Sequence, residues 1–236
     1  GFTLTIANDK LIKVESDVVN NGSIVIANNG SLMQFADSAI NSGSGNITLT
    51  RTSTPMYVGD YTYWSSPVTG FDLSGIPKYS TFAFIRNATT NQWVRASGIM
   101  QPGLGYIVMT DNSSKTVATN TSVEFSGTMN NGRVNQPVVI NASKWNLLGN
   151  PYPSALDAAD FVTDNQARDL NGDGDTLDAG EQSIIGGSLY FWTHYTRISK
   201  TNFEPSGLRG KFTQNDYAVW TLSGGIATAK ANTIDT

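Results

Sequence analysis

The 236-residue chain contains no cysteine and one histidine, His194. The absence of cysteine excludes disulfides, thiolate metal sites and thiol nucleophiles, and it is compatible with export without demonstrating it. With one histidine, a catalytic triad or a multi-histidine metal site would have to be built around His194 alone. Because His194 follows the strand-like run 189–193, we expect a structural, hydrogen-bonded histidine.

Charge is also scarce, at 14% of residues, and the formal net charge is −4. No dense run of Lys and Arg is present, so the electrostatic footprint of a nucleic-acid-binding protein is missing. No apolar stretch approaches the roughly 20 residues that a membrane-spanning helix needs. The chain opens on strand-like residues 1–4 with no recognisable signal peptide. We therefore interpret it as a mature fragment, with the parent chain continuing on both sides.

What the sequence does contain favours strands. Thr and aromatic residues suit pleated, half-buried surfaces, and Gly, Asn and Asp supply tight turns. Short apolar alternations recur between turn clusters over residues 51–225, which predicts an all-β fold with a β-sandwich or jelly-roll-like domain. A short helix is expected over residues 151–162, with Ser154 as its N-cap and Asp157 near the positive end of the helix dipole. Residues 226–236 are expected to form a linker or an edge strand.

Residues 1–50 contain an internal sequence repeat with a period near 20. The run Leu4–Asn8 recurs as Ile24–Asn28, and a third apolar alternation follows at Ile47–Thr50. This period, with its Asn-Gly turns, predicts short β-solenoid-like rungs over residues 1–50. The alternative is a meander of antiparallel hairpins, because Asn-Gly is also the strongest hairpin signal.

Six phrases, in the same order, resemble a module of large Bacteroidetes cell-surface proteins exported by the type IX secretion system. They are Tyr61–Val68, Pro102–Ile107, Phe125–Thr128, Trp145–Ser154, Leu189–His194 and Asn215–Trp220. In such proteins the module commonly precedes the C-terminal sorting domain, and solenoid-like sequence often precedes the module. The resemblance implies a secreted, cell-surface location for the parent protein and no settled activity.

The strongest local motif is an acidic loop, within an insertion near residues 164–183, that begins like the calcium loop D-x-[DN]-x-[DN]-G. Oxygen ligands at alternate positions let a tight, glycine-bearing loop wrap a hard cation. The twelfth position is Gly180, and the closing carboxylate comes one residue later, at Glu181. We therefore predict a Ca²⁺ loop outside an EF-hand context, the alternative being a solvated acidic turn without an ion. The expected ligands are Asp169, Asn171, Asp173, Asp175, Asp178 and Glu181.

Aromatic residues form the second candidate group. Most of them are expected to fill the core, including the tryptophans of the six phrases, Trp64, Trp145, Trp192 and Trp220. Trp93 lies outside those phrases and is the preferred exposed residue for binding a ligand such as a sugar ring. Two tripeptides, 37–39 and 175–177, resemble the short O-glycosylation signal of Bacteroidetes. Ser38 is the preferred glycosylation site, because Thr176 lies inside the acidic loop.

These features favour a secreted cell-surface module, structural or adhesive, that calcium stabilises and that is not an enzyme. The alternative is a carbohydrate-binding module of a larger secreted enzyme. The expected partners are surface glycans or other extracellular polymers, with neither nucleic acid nor a membrane span. Paired carboxylates for glycoside hydrolysis are disfavoured, because most acidic residues are concentrated in one glycine-rich loop.

Overall fold

The structure is a computed structural model and describes residues 1–77, 82–114, 116–140, 145–167, 169–193 and 216–226. His194 lies outside these residues. Contacts between Cα atoms group the chain into two compact units. Unit 1 is Gly1–Val139 with Lys144–Ala155, and unit 2 is Ile140–Ser143 with Leu156–Thr236. Most regular structure in the described residues is strand, with one short α-helix, which confirms the all-β class.

The strands described in unit 1 are β1 (Thr3–Ile6), β2 (Leu11–Val14), β3 (Val18–Val19), β4 (Ser23–Ile26), β5 (Ser31–Gln34), β6 (Asn41–Ser42), β7 (Asn46–Thr52), β8 (Tyr61–Trp64), β9 (Val68–Thr69), β10 (Ala83–Asn87), β11 (Gln92–Arg95), β12 (Tyr106–Met109), β13 (Ser122–Ser126) and β14 (Thr128–Met129). One sheet has the order β1-β4-β7-β13 and another the order β11-β10-β12-β8. Three two-stranded sheets, β2-β5, β3-β6 and β14-β9, complete the unit as described.

The first 52 residues pair in parallel. β1, β4 and β7 lie side by side, and Leu4, Ile24 and Ile47 occupy one register position in this ladder. β2 pairs with β5 and β3 with β6, also in parallel. Hairpins would have paired these strands antiparallel. The repeat consists of β1–β3, β4–β6 and the single strand β7. Because this is fewer than three full repeats, the β-solenoid stays a prediction.

One hydrophobic core lies between the two four-stranded sheets of unit 1. From the first sheet it receives Leu49 and Phe125, and from the second it receives Trp64 and Val108. The Trp64 and Phe125 rings meet with their centroids 6.3 Å apart. β7 pairs with β4 on one side and antiparallel with β13 on the other, so residues 1–50 share a sheet and a core with the strands that follow.

Trp145 corrects the sequence-based prediction of the core. Its side chain is 54% exposed, because it lies in irregular chain where the alternation of strand side chains does not apply. Trp64 is buried as predicted, with 8% exposure. Trp192 and Trp220 are partly buried.

A buried asparagine joins three segments of unit 1. The Asn130 amide nitrogen donates to the carbonyl oxygens of Ser66 at 3.2 Å and Pro151 at 2.9 Å. The Thr69 hydroxyl donates to Asn130 Oδ1 at 2.7 Å. Because buried polar groups are costly when they lose their partners, this network fixes how the three segments meet.

Replacing Asn130 with alanine should lower the free energy of unfolding by about 1–2 kcal/mol, because it leaves two carbonyls and a hydroxyl without a partner. Urea unfolding followed by tryptophan fluorescence measures the change. Asn135→Ala is the matched control at an exposed position and should be near neutral. Equal losses in the two variants would contradict a structural role for the network.

Unit 2 contains the helix α1 (Ala158–Asp164) and the antiparallel sheet of β15 (Ser188–Trp192), β16 (Tyr217–Thr221) and β17 (Gly224–Ile226). In the described part of this unit, the buried hydrophobic residues are Val162 and Ala218. Other large apolar side chains stay exposed, among them Tyr190 and Phe191 at 44% and 46%. No helix in the described part of the chain is long and apolar enough to cross a membrane.

The start of α1 differs from the prediction. Asp157, and not Ser154, is the N-cap, and its side chain accepts hydrogen bonds from the backbone N–H groups of Ala159 and Asp160. Ser154 lies in unit 1, is buried, and its carbonyl accepts a hydrogen bond from the Asn150 amide at 2.7 Å. Ser154 is therefore held in the preceding segment, and the helix starts at the next side chain that can cap it.

Candidate calcium site

The acidic loop, residues 169–181, leaves the end of α1 and returns close to it. Asn165 is the C-cap of the helix, and its carbonyl accepts a hydrogen bond from the Ile184 N–H at 2.9 Å. The next strand, β15, begins at Ser188 rather than directly after Glu181. The helix end and this one backbone contact therefore hold the two ends of the loop together.

Asp169 organises the first half of the loop. Its Oδ1 accepts a hydrogen bond from the Gly172 N–H at 2.6 Å, and its Oδ2 accepts one from the Gly174 N–H at 3.0 Å. Both glycines have positive φ angles, 80° and 92°, in a region that side-chain-bearing residues rarely adopt. The sequence D-x-x-G-x-G thus curls the backbone around one carboxylate.

The following polar residues repeat a local turn. Asn171 Oδ1 accepts from the Asp173 N–H at 2.9 Å, Asp173 Oδ1 from the Asp175 N–H at 3.0 Å, and Asp175 Oδ1 from the Leu177 N–H at 2.8 Å. Side-chain oxygens of Asn and Asp commonly make such bonds two residues ahead. The bonds to Asp173 from the Asp175 backbone and the Asn171 amide lower the pKa of its carboxyl group.

Asn171 also draws two carboxylates together. Its amide nitrogen donates to Asp173 Oδ2 at 3.1 Å and to Asp178 Oδ2 at 2.9 Å. Two negatively charged groups therefore lie within hydrogen-bonding distance of one neutral nitrogen. In water such a pair is weakly repelled, and a cation between the two would replace the repulsion with attraction.

Glu181 closes the loop from the opposite end. Its Oε1 accepts hydrogen bonds from the Leu170 N–H at 2.8 Å and the Asn171 N–H at 3.2 Å, so the carboxylate reaches back to the start of the loop. The residue is 3% exposed, and its second oxygen, Oε2, is buried without a hydrogen-bond partner. A buried carboxylate oxygen without a partner is costly, and a cation is the partner that its charge favours most.

The loop concentrates the negative charge of the chain. It contains five carboxylates and no Lys or Arg, a formal charge of −5, while the whole chain carries −4. The remainder of the sequence is therefore formally +1. No basic side chain within residues 169–181 offsets this negative charge.

As the side chains stand, no three acidic or histidine groups in the described residues are gathered closely enough to hold a metal ion. The carboxylates are instead turned toward the backbone of the loop. Each carboxylate oxygen has two lone pairs, so an oxygen that accepts one N–H can still coordinate a cation. Hydrogen bonds join Asn171 to Asp173, Asp178 and Glu181. Asp169 is bonded to the N–H groups of Gly172 and Gly174 between them, and the side chain of Asp175 accepts from the Leu177 N–H that follows it.

Trp93, the predicted ligand-binding residue, lies on β11 and is partly exposed. Its ring is not an open platform. The guanidinium of Arg86 lies 5.3 Å from the ring centroid, and the Tyr63 ring lies 6.5 Å away at a tilt of 46°. Arg86 and Arg95 were not predicted from the sequence, although each follows an aromatic residue by two positions, in Phe84-x-Arg86 and Trp93-x-Arg95.

Ser38, the predicted glycosylation site, is exposed in a turn. The Ala39 N–H donates to the Ala36 carbonyl at 3.0 Å and closes this turn. The amide of Asn131 donates to the carbonyls of Ala36 and Ala39 and so stabilises the turn. The position is accessible, and its modification stays a prediction.

A cavity of about 300 Å³ also lies in unit 1. Its lining residues are polar and mostly neutral: Pro77, Asp111, Asn112, Ser113, Thr119, Asn120, Thr121 and Ser122. Asp111 is the one carboxylate among them.

The chain belongs to a family described as a domain of unknown function (DUF8693), which matches residues 1–236. No curated protein and no solved structure matches the chain.

Proposed function

We propose that this chain is a non-catalytic module of a secreted cell-surface protein, structural or adhesive in role, that is stabilised by calcium. The observation that carries the proposal is the buried Glu181 carboxylate, which spans the acidic loop and has one oxygen without a partner. Calcium prefers such oxygen ligands and accepts irregular coordination by loops.

The few buried hydrophobic residues in the described part of unit 2 support a structural role for the ion. With Val162 and Ala218 as its buried hydrophobic residues, the described part of the unit has little apolar burial to stabilise it. Small units of this kind commonly depend on a metal or a disulfide, and the chain has no cysteine. Secretion and a surface location follow from the resemblance to type IX-exported proteins and are part of the same proposal.

Calcium should raise the melting temperature. Extracellular calcium modules bind at about 10⁻⁴–10⁻³ M. In 10 mM calcium, binding therefore adds about 1.4 kcal/mol of stability at a dissociation constant of 10⁻³ M and about 2.7 kcal/mol at 10⁻⁴ M. For a domain of this size that corresponds to roughly 3–10 °C. The measurement is a thermal melt in EDTA and in 10 mM calcium, at constant ionic strength.

Two variants make this test specific. Asp173→Ala should lose the calcium-dependent shift, whereas Glu15→Ala, at an exposed position in unit 1, should keep it. Identical wild-type melts in EDTA and calcium would show that no ion binds and that the loop is an acidic turn. An undiminished shift in Asp173→Ala would place the ion elsewhere.

The alternative function, a carbohydrate-binding module, is favoured by one observation. Trp93 lies on a sheet face together with Tyr63 and Arg86. Binding to one polysaccharide on a glycan array, lost in Trp93→Ala, would favour this alternative and identify its ligand.

A further inference from the structure

Unit 1 presents a sheet face on which arginine and aromatic side chains alternate. In the sheet β11-β10-β12-β8, Arg86 pairs with Trp93, and Phe84 pairs with Arg95. Residues two apart on a strand share a face, so these four side chains lie on one side of the sheet. Ala83 belongs to the core of unit 1 and Ile85 packs against it, which places the arginines on the opposite, outer face.

Aromatic rings support both guanidinium groups on this arginine–aromatic face. Arg86 lies 5.3 Å from the centre of the Trp93 ring. Arg95 lies 5.7 Å from the Phe82 ring and 5.5 Å from the Phe84 ring. The Arg86 guanidinium also donates to the side-chain oxygen of Asn91. Stacking of this kind restricts the side chains, and each planar guanidinium carries five N–H donors and a permanent positive charge.

The charge of the face is of one sign. β8, β10, β11 and β12 contain two arginines and no Asp or Glu. In a chain with a net charge of −4, this face is a positively charged exception. Arg86 and Arg95 occupy diagonal cross-strand positions, which are about 7–8 Å apart. This spacing is that of the backbone positions, and two positive charges on one sheet face suit a ligand that carries several anionic groups.

We propose that the arginine–aromatic face binds an anionic polysaccharide, whose carboxylate or sulfate groups pair with Arg86 and Arg95. Guanidinium groups pair with such oxyanions through two parallel hydrogen bonds. The exposed parts of Trp93 and Tyr63 contact the apolar faces of the sugar rings. The inference rests on the adhesive role proposed above, but it involves unit 1 alone and is independent of calcium.

Affinity electrophoresis with dextran, carboxymethyl dextran and dextran sulfate tests the proposal, because the three polymers share one neutral backbone. The experiment uses the whole chain in EDTA at low salt, which removes any contribution from bound calcium. The wild type should bind the two charged polymers, and raising the salt concentration should weaken the binding through screening. Neutral dextran should not bind. A preference between the two charged polymers distinguishes carboxylate from sulfate recognition.

The double variant Arg86→Gln/Arg95→Gln should bind at least tenfold more weakly, and Trp93→Ala should also weaken binding because it removes the ring beneath Arg86. The matched control is Lys10→Gln/Lys13→Gln, which removes the same charge from β2 and the turn before it. An equal loss in this control would mean non-specific attraction and overturn the proposal. The proposal would also be overturned if neutral dextran bound equally well or if neither charged polymer bound. It would be overturned too if the wild type were a dimer and the arginine variant a monomer. Failure here leaves the calcium-dependent melt unaffected, so the two proposals fail separately.

Discussion

Replacing Trp64 with alanine is expected to lower the free energy of unfolding by about 3–5 kcal/mol, because the change removes buried apolar surface and leaves a cavity. Trp64 is 8% exposed and contacts Phe125 from the facing sheet. Trp145 belongs to the same unit but is 54% exposed. Its replacement with alanine should cost about 1 kcal/mol or less, as for other exposed positions.

The pair is measured by urea unfolding of each variant, with the midpoint and slope fitted separately. Because the substitution is the same, the difference between the variants reports mainly the difference in burial of the two rings. A loss near 3 kcal/mol for Trp145→Ala would show that this residue is packed in solution. A small loss for Trp64→Ala would mean that the two sheets do not share the core described above.

The two tryptophans also show what the sequence could predict. Trp64 ends β8 and enters the core between the two sheets, and the prediction of burial was right. Trp145 lies in irregular chain, where no period relates sequence to exposure, and its predicted burial was wrong. The parallel pairing of β1, β4 and β7 was predictable because equivalent apolar residues recur about every 20 residues.

The boundaries of elements were harder to predict, since they depend on contacts distant in sequence. Ser154 has the right chemistry for an N-cap, but its place in unit 1, with its carbonyl held by Asn150, leaves the role to Asp157. Likewise, the loop motif identified Glu181 as the closing carboxylate, yet the motif contains no information on burial. Its buried, partnerless oxygen emerged only from the folded chain.

The arginine–aromatic face was missed for a related reason. From the sequence, Trp93 was predicted as a single exposed ring, whereas in the fold its neighbours come from other strands. Arg86 is directly opposite Trp93 in the register, and the Tyr63 ring reaches it from β8. The short turn between β10 and β11 sets the register of Arg86 and Trp93, whereas Tyr63 reaches them through β12, which pairs strands that are distant in sequence.

The substitution Glu181→Gln should raise the free energy of unfolding in EDTA and lower it in calcium, relative to the wild type. In EDTA it should stabilise the chain by about 1 kcal/mol, because it removes a buried charge without a cation and reduces repulsion within the loop. A glutamine oxygen can still accept the N–H groups of Leu170 and Asn171. With calcium, the variant lacks an anionic ligand. If its affinity falls about a hundredfold, it loses most of the roughly 1.4–2.7 kcal/mol that the wild type gains.

Thermal and urea unfolding of the wild type and Glu181→Gln, each in EDTA and in 10 mM calcium, measure the change in stability in both conditions. Glu124→Gln is the matched control: it makes the same substitution at an exposed position on β13 and should change neither condition. A site without calcium predicts the same Glu181→Gln effect in both buffers, and this result would refute the proposed ligand. A buried carboxylate with only a structural role predicts destabilisation in EDTA, because its hydrogen bonds to the loop would weaken. Glu181→Gln stabilises the chain in EDTA and destabilises it in calcium only if the carboxylate lowers stability without the ion and binds the ion when it is present.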